Sequence, residues 1–318
     1  TPAATTTYTV TGSNGPGCSN TSTLTVTVNA LPTVTTSASS TTVCSGSPTT
    51  LTGAGASTYL WMPGSLTGTS VVVNPTVTTT YTVTGTSAAG CTNTATRTIT
   101  VNALPTLTVT PVAPSICLGG SVNLVASVTG GCTYSWSPTV GLSAPTSSTT
   151  AATPTITTTY VMTKTRTTTG CSNTASVVVT VNPSPTVTAT ASSTSICTGN
   201  TVTITSSGAS TYVWNPGPMT GPSVSVSPNV TTTYTVIGTG SNGCTSSQTI
   251  TITVGAQPTV TASSSSSAIC NGNSVTMTGT GTTTYNCMPG RLSGTTVSVS
   301  QTVNTTYTVT GSNGPGCS

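Results

Sequence analysis

Short runs in which threonine alternates with valine or isoleucine follow one another along the whole chain, between turns rich in Gly, Pro, Ser and Asn. A period of two places successive side chains on opposite faces of a β-strand. In one segment this pattern predicts six strands: Thr33–Ser37, Thr49–Thr52, Thr58–Trp61, Ser70–Val73, Thr80–Thr84 and Ala95–Val101. In the last strand, which contains TRTITV, we expect Val and Ile to point inward and Thr and Arg to face water.

The strand pattern recurs because the chain is an internal repeat. A segment resembling TTTYTVTGTSAAGC ends at Cys91 and returns with its last residue at Cys171, Cys244 and Cys317, and a first copy ends at Cys18. A second marker, [VI]CxG, contains Cys44, Cys117, Cys197 and Cys270. A third marker, YxWxP, contains Trp61, Trp136 and Trp214, and its fourth copy has Cys287 in place of Trp. Residues 307–317 also repeat residues 8–18, YTVTGSNGPGC.

Proline-bearing joints at Asn29–Pro32, Asn102–Pro105, Asn182–Pro185 and Gly255–Pro258 mark the boundaries, since proline interrupts a strand ladder and stiffens a connection. They predict a partial repeat over 1–30 that holds only the last two strands, and a partial repeat over 257–318 that lacks its last strand. Between these lie repeat 1 (31–103), repeat 2 (104–183) and repeat 3 (184–256), and residues 257–318 are called repeat 4. We expect the segment to be cut from a longer array.

Many short alternating strands with frequent turns favour an all-β fold of tandem immunoglobulin-like β-sandwich repeats, joined into an elongated rod or filament. The aromatic markers are expected to fill the sandwich cores. The tyrosines at the start of the penultimate strand occupy a tyrosine-corner position. The predicted core residues are Trp61, Trp136, Trp214, Tyr81, Tyr160, Tyr234 and Tyr307.

The amino-acid composition argues against catalysis and metal binding, because charged residues make up only 1% of the chain and Asp, Glu and His are absent. General acid–base catalysis draws mainly on such groups, and calcium, magnesium and zinc sites use carboxylates, His or Cys. We therefore expect no catalytic residue, no cofactor-binding residue and no metal ligand. The net charge of +4 comes from missing acids rather than a basic cluster, so no nucleic-acid partner is expected. No apolar run is long enough to span a membrane.

The combined pattern ICxG…YxWxP…TTTYTVT…GC…TVTV resembles the tandem Ig-like and PKD-like repeats of large secreted Bacteroidota surface proteins, including gliding-motility-associated adhesins exported by the type IX system. The resemblance covers essentially the whole chain. It implies a sandwich fold, export and a role in surface display. The chain departs from PKD domains because it lacks their acidic WDFGDG stretch.

The cysteines are spaced for disulfides rather than for metal binding, since no CxxC is present. The candidates are Cys18, Cys44, Cys91, Cys117, Cys171, Cys197, Cys244, Cys270 and Cys317. One pairing stays within repeats: Cys44–Cys91, Cys117–Cys171, Cys197–Cys244 and Cys270–Cys317. The other links neighbouring repeats: Cys44–Cys171, Cys117–Cys244 and Cys197–Cys317. The second is a hypothesis from strand order, which places the first-to-second strand loop and the last hairpin at opposite ends of a sandwich.

These features predict a structural component of an extracellular or cell-surface filament or adhesin. The alternatives are a spacer or glycan-binding module of a secreted enzyme and a Thr-rich ice-binding surface. Sheet twist degrades a flat Thr lattice, which weighs against ice binding. The predicted partners are copies of the chain or adjacent repeats, which could pair through the sheet edges of the partial repeats, with surfaces or glycans as further candidates.

Overall fold

The structure is a computed structural model that describes residues 1–314, and its secondary structure there consists of β-strands. Cys317 therefore lies outside the described residues. The chain forms two compact units. Of the described residues, the first contains 1–114, 121–154 and 158–179, and the second contains 115–120, 155–157 and 180–314. Among the described residues no helix is long and apolar enough to cross a bilayer.

The first unit begins with an antiparallel hairpin of β1 (Thr6–Ser13) and β2 (Ser19–Val26), in which Tyr8 lies opposite Leu24. Repeat 1 follows as two facing sheets. Its strands are β3 (Thr35–Ala38), β4 (Thr42–Cys44), β5 (Thr49–Ala54), β6 (Thr58–Met62), β7 (Leu66–Thr67), β8 (Ser70–Val73), β9 (Thr79–Thr86) and β10 (Thr92–Asn102). One sheet has the order β3-β5-β8 and the other β4-β10-β9-β6-β7.

The inward faces of these two sheets form one apolar core, as the period-two pattern predicts. Trp61, Leu51, Val83 and Ile99 are completely buried there. The same faces carry the buried Tyr81. This is an immunoglobulin-like sandwich, and the all-β tandem fold expected from the sequence is confirmed.

The expectation that Arg97 faces water is wrong. Arg97 lies opposite Tyr81 in the β9–β10 ladder, two residues from the buried Ile99, and is half-buried. Its Nε is buried without a hydrogen-bond partner. Because side chains alternate with a period of two, Arg97 and Ile99 share a face, so they could not point to opposite sides of the sheet.

Repeat 2 has seven strands, one fewer than repeat 1, and a longer loop before its Trp-bearing strand. Its strands are β11 (Val109–Thr110), β12 (Ser115–Cys117), β13 (Val122–Ala126), β14 (Cys132–Ser137), β15 (Thr149–Ala152), β16 (Thr158–Arg166) and β17 (Ser172–Asn182). In the first unit β11-β13-β15 form one sheet, and β14 and β17 flank β16 in the other. In the second unit β12 lies parallel to the last three residues of β17.

The second unit continues with repeat 3, which has the two-sheet plan of repeat 1. Its strands are β18 (Thr188–Ala191), β19 (Ser195–Cys197), β20 (Val202–Ser207), β21 (Thr211–Asn215), β22 (Met219–Thr220), β23 (Ser223–Val226), β24 (Thr232–Thr239) and β25 (Thr245–Gly255). Its sheets have the orders β18-β20-β23 and β19-β25-β24-β21-β22. Trp214, Ile204, Val236 and Ile252 are completely buried between them.

The described part of repeat 4 has two three-stranded sheets. Its strands are β26 (Thr261–Ser264), β27 (Ser274–Thr280), β28 (Thr284–Met288), β29 (Leu292–Ser293), β30 (Thr296–Ser300) and β31 (Thr308–Ser312). The sheet orders are β26-β27-β30 and β29-β28-β31. Cys287 is buried at the position that Trp214 takes in repeat 3.

Threonine rows occupy the outward face of the last two strands of the repeats. Across the ladder the hydroxyl groups pair with one another, with Oγ1–Oγ1 distances of 2.9 Å for Thr80 and Thr98 and 2.9 Å for Thr233 and Thr251. Cross-strand hydroxyl pairs stabilise a sheet face modestly. They allow a surface almost free of charge to stay polar.

Candidate functional site at the junctions between repeats

The first junction is built around the chain that leaves repeat 1. Strand β4 lies parallel to the end of β10, with Val43 beside Val101 and Cys44 beside Asn102. The amide of Ser45 donates to the carbonyl of Asn102 at 2.9 Å. This short parallel strand therefore carries Cys44 to the end of the sandwich from which the chain continues into repeat 2.

The hairpin between β16 and β17 reaches the same place from repeat 2. Its cysteine, Cys171, is completely buried, and its Sγ lies 4.0 Å from the carbonyl oxygen of Asn102. Two residues further, the side-chain amide of Asn173 donates to the carbonyl of Pro105 at 3.1 Å. The Asn173 hydrogen bond thus ties the hairpin to the connection between the repeats.

Cys44 and Cys171 form a disulfide, with a Cα–Cα distance of 5.6 Å. This distance lies within the range that disulfides require. The two residues are 127 positions apart, so the bond closes a loop that contains most of repeat 1 and most of repeat 2. It is a covalent link between neighbouring repeats.

The second unit repeats this arrangement. Cys117 lies beside Asn182 in the β12–β17 ladder, and the Sγ of the fully buried Cys244 lies 3.9 Å from the carbonyl oxygen of Asn182. Asn242 donates its side-chain amide to the carbonyl of Pro183 at 3.0 Å. Cys117 and Cys244 form a disulfide with a Cα–Cα distance of 5.6 Å and a separation of 127 residues.

The third pair of the inter-repeat hypothesis involves Cys317, outside the described residues. Its other member, Cys197, lies beside Gly255 in the β19–β25 ladder and is disulfide-bonded. The alternative pairings of Cys44 with Cys91 and of Cys117 with Cys171 do not occur, because Cys44, Cys117 and Cys171 are engaged elsewhere and Cys91 is free.

Three of the free cysteines belong to the repeated markers, namely Cys18, Cys91 and Cys270. The Sγ of Cys91 lies 3.8 Å from the carbonyl oxygen of Asn29, and Asn93 donates to the carbonyl of Pro32 at 3.0 Å. This is the geometry of Cys171, without a cysteine of the [VI]CxG marker in residues 1–30. Cys270 is an exposed thiol of that marker. The other free cysteines are Cys132 and the buried Cys287, and Cys18 is exposed.

The tryptophans predicted for the core lie inside the sandwiches. Trp61, Trp136 and Trp214 are at most 1% exposed. Their indole N–H groups donate to the backbone carbonyls of Gly68, Ser147 and Gly221 at 3.0–3.1 Å. A ring enclosed in this way is not available as a platform for a ligand.

The corner tyrosines differ among the repeats. Tyr81, Tyr160 and Tyr234 are buried, and burial raises the pKa of each phenol above its ordinary value. The hydroxyl of Tyr160 donates to the carbonyl of Val140 at 2.9 Å. Tyr307 is only half-buried in repeat 4.

Lys164 lies in a polar, threonine-rich run of the sequence, and it is completely buried. Its ammonium group donates to the carbonyls of Thr106 and Ser127 at 2.9 and 2.7 Å and lies 5.8 Å from the centre of the Tyr134 ring. Repeat 1 has Gly85 at this position, where a Cβ would lie 2.6 Å from Val34. The longer loop between β13 and β14 in repeat 2 gives the lysine its space.

The asparagine clamps were missed by the sequence reasoning, although a signal is present. Asn93 and Asn173 lie two positions after their hairpin cysteine, whereas Asn242 lies two positions before Cys244. Each donates to a backbone carbonyl of the preceding joint, at 3.0–3.1 Å. The Cys-x-Asn spacing shared by repeats 1 and 2 could have identified Asn93 and Asn173 as part of the junction, but not Asn242.

No protein-family model and no curated protein matches the chain. Among known structures, a Ca2+-stabilized adhesin that helps an Antarctic bacterium reach out and bind ice is 19% identical, with coverage of 85% of this chain and 89% of that chain and a TM-score of 0.30. The N-terminal eight Ig domains of Down Syndrome Cell Adhesion Molecule are 13% identical, covering 88% and 44%, with a TM-score of 0.40. Three N-terminal domains of the bacteriophage RB49 Hoc protein are 15% identical, covering 71% and 99%, with a TM-score of 0.28.

Similarity at this level says nothing about function, so the class of the protein follows from its own strands and cysteines. The chain is an array of immunoglobulin-like β-sandwich repeats. Within the described residues, two disulfides join neighbouring repeats.

Proposed function

We propose that the chain is a structural, load-bearing segment of an extracellular filament or surface adhesin, in which disulfides staple each repeat to the next. The observation that carries this proposal is the pair of bonds Cys44–Cys171 and Cys117–Cys244, each of which connects two sandwiches. Such bonds persist in oxidising environments, which supports an extracellular or cell-surface location. The resemblance of the markers to Bacteroidota surface repeats is part of the same proposal.

The staples suit a segment under tension. A chain of 127 residues closed by Cys44–Cys171 cannot be pulled straight while the bond is intact. At ~3.5 Å per extended residue, the bond withholds about 440 Å of chain. At the same joint, the side-chain amide of Asn173 donates to the carbonyl of Pro105. A force that pulls on the joint is therefore resisted by both the disulfide and this hydrogen bond.

The proposal includes a role that is neither enzymatic nor that of a glycan-binding module. The chain has no Asp, Glu or His, and its one lysine is completely buried with its amine donating to two backbone carbonyls. The three tryptophans, which would be the natural stacking platforms for a sugar, are enclosed in the cores. These features support a scaffold more than a catalyst or a lectin.

Single-molecule force spectroscopy tests the proposal on a variant that keeps Cys44, Cys91 and Cys171 as its only cysteines. We expect the fully stretched oxidised chain to be about 440 Å shorter than the reduced chain. A difference of about 160 Å would instead indicate a bond between Cys44 and Cys91, about 47 residues apart, and would reject inter-repeat stapling. Equal lengths with and without reductant would reject a role for any of these bonds under load.

A further inference from the structure

Cys132 lies outside the repeated cysteine markers, in the same repeat as the disulfide-bonded Cys171. It is a free, half-buried thiol at the start of β14. In the β14–β16 ladder it lies opposite Arg166, and the amide of Arg166 donates to the carbonyl of Cys171 at 2.9 Å. Cys132, Arg166 and Cys171 therefore form one row across the ends of three neighbouring strands.

The side chains of this row belong to the inward face of the sheet. Because side chains alternate with a period of two, Cys132 shares a face with the buried Trp136, and Arg166 shares a face with the buried Met162. Cys171 is itself completely buried. A free thiol, a guanidinium group and one sulfur of the junction disulfide thus lie side by side at one end of the repeat 2 sandwich.

The row brings the free thiol close to the disulfide. Neighbouring strands lie about 4.8 Å apart, so the Cα atoms of Cys132 and Cys171 are about 10 Å apart. A disulfide needs a Cα–Cα distance of about 4.4–6.8 Å, so a bond between them requires an approach of about 3 Å. The two loops concerned are already held together, because the amide and the hydroxyl of Thr167 donate to the carbonyl of Gly131 at 2.8 and 3.0 Å. Loops and strand ends are also the parts of a fold that open most easily.

The two sulfurs of the disulfide differ in their surroundings. Cys44 is half-buried, whereas Cys171 is completely buried. A thiol inside repeat 2 therefore approaches the disulfide from the side of Cys171. In thiol–disulfide exchange the sulfur that is not attacked departs as a thiolate, so attack on Cys171 releases Cys44, the residue that water reaches.

Repeat 3 has neither a thiol nor a cation at the equivalent places. By the register of the β21–β24 ladder its row consists of Ser210, Gly240 and Cys244, and the amide of Gly240 donates to the carbonyl of Cys244 at 2.8 Å. The thiolate is the species that attacks a disulfide, and a serine hydroxyl does not replace it. The bond Cys117–Cys244 therefore provides an internal comparison for Cys44–Cys171.

We propose that Cys132 carries out thiol–disulfide exchange at the first junction. Its thiolate attacks the Sγ of Cys171, the bond between Cys171 and Cys44 breaks, and Cys44 leaves as a thiolate. The proton lost by Cys132 is taken up by Cys44 through solvent, and no oxidant or reductant is consumed because one disulfide replaces another. During the attack the negative charge is shared by three sulfurs, and the guanidinium group of Arg166, which lies in the same row, stabilises it.

The exchange converts a bond between repeats into a bond within repeat 2. This inference rests on the proposed structural function and gives the first junction a second covalent state. The bond Cys132–Cys171 closes a loop of about 39 residues in place of 127. At ~3.5 Å per extended residue, the exchange releases about 310 Å of chain. The junction thus lengthens under load while Cys171 stays disulfide-bonded.

The test maps the disulfides of the 318-residue chain after incubation at pH 8 without reductant, acid quenching and digestion at low pH. We expect a peptide that joins Cys132 to Cys171. The free thiol of Cys44 should be at least tenfold more abundant than in the variant Cys132→Ser, and Cys117–Cys244 should stay intact. A chain in which Cys132 remains a free thiol at all times would overturn the inference.

The identity of the new bond is part of the test. Products in which Cys171 is joined equally to Cys18, Cys91 and Cys132 would show that exchange takes place without the geometry of the row, and the inference would be wrong. In Cys44→Ser, which lacks the original partner, oxidised glutathione should join Cys132 to Cys171. Failure to form this bond would show that the row does not close.

Variants of Arg166 test the role of the positive charge. Arg166→Gln should slow the formation of Cys132–Cys171 by at least tenfold, whereas Arg166→Lys, which keeps the charge, should slow it less than threefold. Equal rates in the two variants would contradict the assignment of Arg166.

The same peptide maps separate this inference from the proposed function. A chain that keeps Cys44–Cys171 and Cys117–Cys244 while Cys132 stays free refutes only the exchange. A chain that contains neither of the inter-repeat bonds and no bond between Cys132 and Cys171 refutes the stapled scaffold itself.

Discussion

Removal of the Cys44–Cys171 staple should destabilise repeats 1 and 2 together. The double substitution Cys44→Ala and Cys171→Ala opens a loop of 127 residues and leaves no unpaired thiol to form a new bond. In the chain-entropy treatment, a disulfide that closes a loop of this length raises the free energy of the unfolded chain by about 5 kcal/mol at 25 °C. The contribution typical of disulfides is ~2–4 kcal/mol. We therefore expect a loss of about 3–5 kcal/mol.

Hydrogen exchange measured by mass spectrometry across a guanidinium titration reports each repeat separately. Peptides from repeats 1 and 2 should unfold at lower denaturant in the variant. Peptides from repeat 3, which is held by Cys117–Cys244, should be affected least. In thermal unfolding the same loss corresponds to a decrease in Tm of about 6–20 °C, at about 2–4 °C per kcal/mol for a segment of this size.

Cys91→Ala is the matched control, because Cys91 occupies the position of Cys171 at another junction but is free in the single chain. It should change stability by no more than about 0.5 kcal/mol. If the double variant unfolds at the same denaturant concentration as this control, the bond contributes no stability and the reasoning from loop closure is wrong.

Three further predictions concern the sandwich interiors. Trp214→Cys should destabilise repeat 3 by about 3–5 kcal/mol, through the lost ring volume and indole hydrogen bond, as a lower guanidinium midpoint would show. Lys164→Met should destabilise repeat 2 by about 1–3 kcal/mol, because the carbonyl of Ser127 loses the ammonium donor; an unchanged midpoint would contradict this. Burial raises the pKa of Tyr81, Tyr160 and Tyr234, so the folded state keeps these protons to a higher pH than the unfolded state does. Their contribution to the free energy of unfolding should therefore be complete below pH ~10 and decrease as the pH rises above it. Ultraviolet titration of the phenols, together with alkaline denaturation, measures this effect.

The strands that could be predicted from sequence are those with several alternating residues. All six predicted in repeat 1 are present, with ends shifted by a few residues, because burial of one sheet face imposes a period of two over their length. Two others, β4 and β7, have three and two residues and carry no readable period. Their existence depends on partners distant in sequence, such as β10 for β4.

Individual side chains were predicted less well than the strands that carry them. Arg97 takes a core-facing position that holds Val177 in repeat 2 and Ile250 in repeat 3, so composition alone assigned it to the wrong face. Lys164 lies among threonines in the sequence, which does not reveal its burial: the loop between β13 and β14 is two residues longer than its counterpart in repeat 1, and the ammonium group donates to the carbonyls of Thr106 and Ser127. Both depend on packing that one strand does not reveal.

The topology of a single repeat explains why the disulfides join neighbouring repeats. Because β4 runs parallel to β10, Cys44 lies at the end of β10 where the chain leaves the sandwich, next to Asn102. Cys91 precedes the other end of β10, and an 11-residue strand spans about 36 Å. A disulfide needs Cα atoms within about 7 Å, so Cys44 cannot reach the hairpin of its own repeat. The nearest hairpin cysteine is that of the next repeat, and a marker pair placed this way on every sandwich necessarily links neighbours rather than closing each repeat on itself.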